Sequence, residues 1–100
     1  MNYQTEEPID RGFDLQELLN APTLLMGEAF DLQETISIIK SIREAHDIGL
    51  LVRPAVKALV QHFNVDVRGT RSPLARLDLV EKHLTVRTRL GLPAVRPSGG

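Results

Sequence analysis

Apolar residues recur through the middle of this chain at three- and four-residue intervals, the spacing that gathers side chains on one face of a helix. Leu15, Leu18 and Leu19 begin the pattern and predict a short helix from about Asp14 to Asn20, which Pro22 closes. Phe30, Leu32, Ile36, Ile39 and Ile42 predict a second helix from about Glu28 or Asp31 to His46, with Gly49 as its stop. Ile36, Ile38, Ile39 and Ile42 lower its intrinsic propensity, because a branched Cβ restricts the side chain against the preceding turn. A span of that length is nevertheless too long for an ordinary strand.

The third pattern is the clearest. Pro54 stands where a first-turn proline belongs, losing no hydrogen bond the helix needs. Val56, Leu59, Val60 and Phe63 follow at i, i+3, i+4 and i+7, and Asn64 suits the left-handed conformation that ends a helix. Burying those four side chains contributes at most about 6–12 kcal/mol, an upper bound because unfolded chains already hide part of the area. This helix is therefore placed at the centre of the core. Residues 65–77 read as extended, since Gly69 permits a turn and Pro73 disfavours helical geometry at Ser72; a two-stranded excursion would fit there. Asp78 with Glu81 three residues on has capping-box spacing and predicts the start of a last helix through Val80, Leu84, Val86 and Leu90, ending at Gly91. The expected fold is all-α: a small bundle of three or four short helices, with an extended Arg- and Pro-containing segment before the last. Residues 1–12 and 93–100 read as flexible ends of a single helical domain over residues 13–92.

Composition is compatible with that fold. Of the 100 residues 42% are apolar and 25% charged, typical of globular chains and far from the signature of disorder. Cysteine is absent, which excludes disulfides, thiolate metal sites and cysteine nucleophiles and fits a reducing compartment. The longest apolar runs, such as Gly49-Leu50-Leu51-Val52, are far too short to span a membrane, and Met1–Glu7 has no signal-peptide pattern. The expectation is a cytoplasmic protein with no membrane partner.

The net charge of −1 hides a division. Residues 1–50 hold three Lys and Arg against ten Asp and Glu, whereas residues 51–100 hold nine against three. Two readings follow: the halves meet within the fold or head to tail in an oligomer, or the basic half binds nucleic acid or a phosphorylated ligand. Arg68, Arg71 and Arg76 around Gly69, with Arg87 and Arg89 near the end of the last helix, are the candidate interaction residues. The nucleic-acid reading lacks interleaved aromatics, and Arg87 and Arg89 also suit the negative end of a helix dipole.

Arg53-Pro54-Ala55-Val56-Lys57-Ala58-Leu59, the segment Thr70-Arg71-Ser72-Pro73-Leu74 and a helix ending Leu90-Gly91-Leu92 together resemble the C-terminal helical tail of the dihydrodipicolinate synthase and N-acetylneuraminate lyase family. The resemblance covers about residues 51–92. It implies a helical domain that packs on a (β/α)₈ barrel and contributes to assembly. The barrel itself needs roughly 200 residues or more and is not part of this chain. The family's activity runs through a barrel lysine that forms a Schiff base with pyruvate and a barrel tyrosine that relays protons. Lys57 corresponds to a tail lysine, not the Schiff-base residue, and Lys40, Lys82 and Tyr3 match none of those motifs, so no catalytic residue carries over.

Other chemistries find no support in the spacing. His46, His62 and His83 do not pair at i, i+3 or i, i+4 with a ligand set, and Ser37, Ser41 and Ser72 lie in no nucleophile-elbow context. No Gly-rich loop follows a strand to cradle phosphate. The expectation is a chain without catalytic, cofactor or metal residues of its own, working as an association module through homo-oligomerisation or a partner protein. The alternatives are a small basic-faced nucleic-acid binder, and a lyase-family fragment active only in a complex.

Overall fold

The computed structural model describes residues 15–97, in which four α-helices and one 3₁₀ turn occur without any β-strand. The predicted all-α bundle is what forms. Helix α1 spans Leu15–Asn20, the 3₁₀ turn Pro22–Leu25, α2 Leu32–Asp47, α3 Arg53–Phe63 and α4 Pro73–Leu90. Residues 13 and 14, part of the expected domain and first helix, lie outside the described residues, as do 1–12 and 98–100.

Asp31 starts α2: its carboxylate accepts the Glu34 N–H at 3.1 Å, and its carbonyl accepts the Thr35 hydroxyl at 2.9 Å. Glu34 in turn accepts the Gly27 N–H at 3.1 Å, tying the preceding loop to the first turn. Helix α2 buries Thr35, Ile38, Ile39, Ser41, Ile42 and Ala45. The buried stripe is rotated from the expected one. Ile38 is fully buried, Leu32 packs at the edge of the core, Ile36 is half-buried, and Phe30 precedes the helix, 42% exposed with its ring against that of Phe63.

Helix α3 follows its pattern, with Pro54 in the first turn, Val56, Leu59 and Phe63 buried, and Asn64 left-handed at φ 55° as the C-cap. Val60 is half-buried. The Asn64 conformation costs little because asparagine tolerates this region better than other residues with a Cβ.

The start of α4 is a correction. It begins at Pro73, with Ser72 as N-cap accepting the Ala75 N–H at 3.4 Å, so Asp78 is an interior residue of the helix. The extended segment is correspondingly shorter and contains no strand pair. Proline does hold Ser72 out of helical geometry, at ψ 134°, but extended geometry is what an N-cap adopts. Asp78 and Glu81 instead share one face of α4 and accept both arms of the Arg43 guanidinium from α2, Glu81 at 2.8 Å. Gly91 ends the helix at φ 74°, where a Cβ would be strained.

The core joins all four helices: Leu18 of α1, Ile38, Ile39 and Ile42 of α2, Ala55, Val56, Leu59 and Phe63 of α3, and Leu77, Val80 and Leu84 of α4. Helix α4 packs on α2 and α3, while α1 and the 3₁₀ turn pack on α3 and α1 also meets α2. Residues 93–97 return along this core. Arg96 donates its backbone N–H to the Phe63 carbonyl and its Nε to that of Asn64, each at 3.0 Å, and Ala94 packs against the core.

Candidate association interface

The connection from α2 to α3 brings apolar side chains to the surface. Ile48, Leu50 and Leu51 lie in the five residues that join α2 to α3, and Val52 alone among the aliphatic residues of that stretch is buried. Leu51 is 73% and Ile48 71% exposed. Helix α1, held by Leu18 in the core, presents Leu15 and Leu19 toward the same place. The result is a cleft of about 550 Å³ lined by Leu15, Leu19, Leu50, Leu51 and Pro54, with Gln16 and Asn20 at its polar margin. Leu24, on the 3₁₀ turn, is another exposed leucine at 74%. Hiding a leucine side chain contributes about 1.5–3 kcal/mol, so a partner covering Ile48, Leu50 and Leu51 has several kcal/mol to gain. The signal was present in the sequence as an apolar run inside an inter-helix turn, where polar residues are the rule.

The five candidate arginines do not form one patch. Arg68 chelates Asp66, its Nε and Nη2 reaching the two carboxylate oxygens at 2.9 and 2.7 Å. Hydrogen bonds from the Arg68 side chain, then its backbone N–H, hold the Asp66 carboxyl well below the usual carboxylate range, and the same pair raises Arg68. Arg76 donates Nη2 to the Thr70 carbonyl at 2.9 Å, fastening the loop before α4. Arg87 donates to the Pro93 carbonyl and so fixes the chain after α4. Arg89 borders the depression that contains Arg43, Asp78 and Glu81, and Arg71 is exposed before the N-cap. Tertiary packing brings Arg71 and Arg76 instead to Arg53 and Lys57 of α3, two residues the sequence reading did not select. No local signal links them: α3 and α4 must pack before these cations become neighbours.

The ion pairs at Arg43 run against the charge division, joining a base of the acidic half to two of the three acids of the basic half. Burial opposes charge on Arg43, and its bonds to Glu81 and Asp78 outweigh this and raise its pKa. They therefore leave the basic half with less internal acid to balance it.

The histidines occupy separate places. His62 sets its ring edge-on to Phe63 with centroids 4.7 Å apart, His83 Nε2 donates to the Ala94 carbonyl at 2.8 Å, and His46 is exposed near the end of α2. Among the described residues, no group of three or more His, Asp or Glu converges as a metal site, and no helix is long and apolar enough to cross a membrane. Comparison with protein-family models, curated proteins and solved structures finds no match.

Proposed function

We propose that this chain is a non-catalytic helical association module that assembles with further copies of itself through the cleft between α1 and the α2–α3 turn. The observation that carries the reading is the cleft in which Leu50 and Leu51 meet Leu15 and Leu19, with Ile48 exposed in the same turn. Exposed leucines in a short turn contribute nothing to the fold that a polar residue would not, and they become favourable when a second surface covers them. The uneven charge of the two halves adds long-range attraction between an acidic region of one copy and a basic region of another. Residues 51–92 resemble the tail that serves assembly in the dihydrodipicolinate synthase and N-acetylneuraminate lyase family, which favours the same role; docking on a barrel enzyme is the other form this role takes.

Leu51→Glu tests the proposal. The side chain is largely exposed, so the variant folds and melts like the parent, while a charge in the cleft opposes closure by a partner. Light scattering should give the parent a mass that is a multiple of 11.1 kDa and the variant 11.1 kDa. A parent of 11.1 kDa at all concentrations, with no change in the variant, refutes self-assembly. Incubation with pyruvate and borohydride should leave Lys40, Lys57 and Lys82 unmodified; a stoichiometric adduct on any of them refutes the non-catalytic part of the reading.

A further inference from the structure

We propose that a second cleft, between the first turns of α3 and α4, binds a small phosphate group, either inorganic or carried on a compact metabolite. This cleft is formed by Arg53, Val56 and Lys57 from α3 and by Arg71, Pro73 and Arg76 around the start of α4, and among the described residues no carboxylate lines it. Four cations thus face a common space. Among the described residues Arg53, Lys57 and Arg71 have no ion-pair partner, in contrast to Arg43 and Arg68, which are held by acids. Arg76 is tied to the Thr70 carbonyl through Nη2, yet its Nε–H is buried without an acceptor. A buried donor left unpaired is costly, so this guanidinium, which borders both this cleft and the adjacent depression around Asp66 and Thr70, gains from a further acceptor.

The backbone points to the same ligand. Neither α3 nor α4 has an acidic residue in its first turn, and α3 begins without any side-chain cap on its free N–H groups. Both helices therefore turn the positive ends of their dipoles toward this region with no carboxylate in either first turn to balance them. A phosphate offers several acceptor oxygens and up to two charges, which match several convergent donors better than a single carboxylate does. The volume of about 290 Å³ is at the low end for ligand pockets, which fits a diphosphate or a small phosphorylated metabolite and excludes enclosure of a larger cofactor. The site is separate from the apolar cleft and does not rest on the association proposal.

Isothermal titration of the full chain with inorganic diphosphate, inorganic phosphate, a sugar monophosphate and acetate tests this site. Saturable one-to-one binding of at least one phosphate, weakening as salt rises, is expected, with acetate inert. Tighter binding of the sugar phosphate than of inorganic phosphate identifies the metabolite as the source, and the reverse order identifies the free ion. Arg71→Gln and Lys57→Gln, both at exposed positions, should each weaken binding about tenfold or more, the loss expected for a hydrogen bond to a charged group. Arg68→Gln and Arg89→Gln, outside the cleft, should leave it within about twofold, as expected where no contact is lost. A Leu51→Gln variant, which weakens the apolar cleft without adding charge beside Arg53, should bind as the parent does, which separates this result from loss of association. Absence of saturable binding, or equal losses in all four cation variants, overturns the site. Preferential binding of a single-stranded oligonucleotide that depends on Arg68 and Arg89 also overturns it, in favour of nucleic-acid recognition.

Discussion

Phe63→Ala is the perturbation that reaches furthest into this fold. Phe63 is 1% exposed at the last turn of α3, its ring meets those of Phe30 and His62 edge-on at centroid distances of 6.0 and 4.7 Å, and its carbonyl receives Arg96. Truncating a buried phenylalanine typically costs about 3–5 kcal/mol, combining lost transfer energy with the cavity left behind. The aromatic contacts place this site toward the upper part of that range, since such pairs add about 0.5–1.5 kcal/mol beyond area. A domain of this length is held by about 5–15 kcal/mol, so the loss is a large part of the total. For a chain of this size it corresponds to a fall in Tm of about 12–40 °C. Leu59→Ala, also fully buried, should cost about 2–5 kcal/mol, whereas Lys57→Ala and Gln61→Ala on the exposed side should stay within about 0.5 kcal/mol of the parent. Thermal melts by circular dichroism, all at one protein concentration, decide the matter. A Phe63→Ala protein melting within a few degrees of the parent, or a Lys57→Ala protein as damaged as Phe63→Ala, would show that the buried face of α3 is wrongly assigned.

Three further outcomes follow from particular contacts. Ser72→Ala should destabilise by about 0.5–1 kcal/mol, the low end for an N-cap because its hydrogen bond is long at 3.4 Å; urea unfolding that shows no change removes Ser72 as the start of α4. Arg43→Met should cost no more than about 1 kcal/mol, since its partners are partly solvent-exposed, and the difference from the parent should shrink in high salt; a salt-independent loss of several kcal/mol in urea unfolding contradicts a screened surface pair. Asp66 should titrate by NMR well below an ordinary aspartate. Because its folded pKa is lowered, its small stabilising effect is present above the unfolded pKa and is lost as pH falls through the folded one; Arg68→Gln should return the titration to the usual range, and an unchanged titration refutes the chelate.

The sequence was most informative where several local signals coincide. At α3, Pro54, the spacing of Val56, Leu59 and Phe63, and Asn64 agree, and helix and cap appear where they indicate. At α4 two start signals compete. Ser72-Pro73 and Asp78-x-x-Glu81 both resemble a helix start, and only the position of Arg43 on α2 explains why Asp78 and Glu81 are spaced as they are. In α2 the run Ile36 to Ile39 supports more than one helical phase, and the small residues Thr35, Ser41 and Ala45 complete a buried face that a search for large apolar residues passes over. The candidate surfaces were less legible for the same reason. Arginines adjacent in sequence separate into local contacts, while Arg53 and Lys57 join Arg71 and Arg76 only once α3 packs on α4.

The absence of cysteine allows a single thiol to be placed in the apolar cleft without competition. An environment-sensitive fluorophore on Leu51→Cys, read against the same probe on Gln61→Cys as protein concentration rises, tests the association claim most directly. Self-assembly through the α1 cleft predicts that emission from position 51 shifts to the blue with concentration while that from position 61 stays as in water. Emission from position 51 that remains water-like at every concentration, or that shifts no more than emission from position 61, would contradict it.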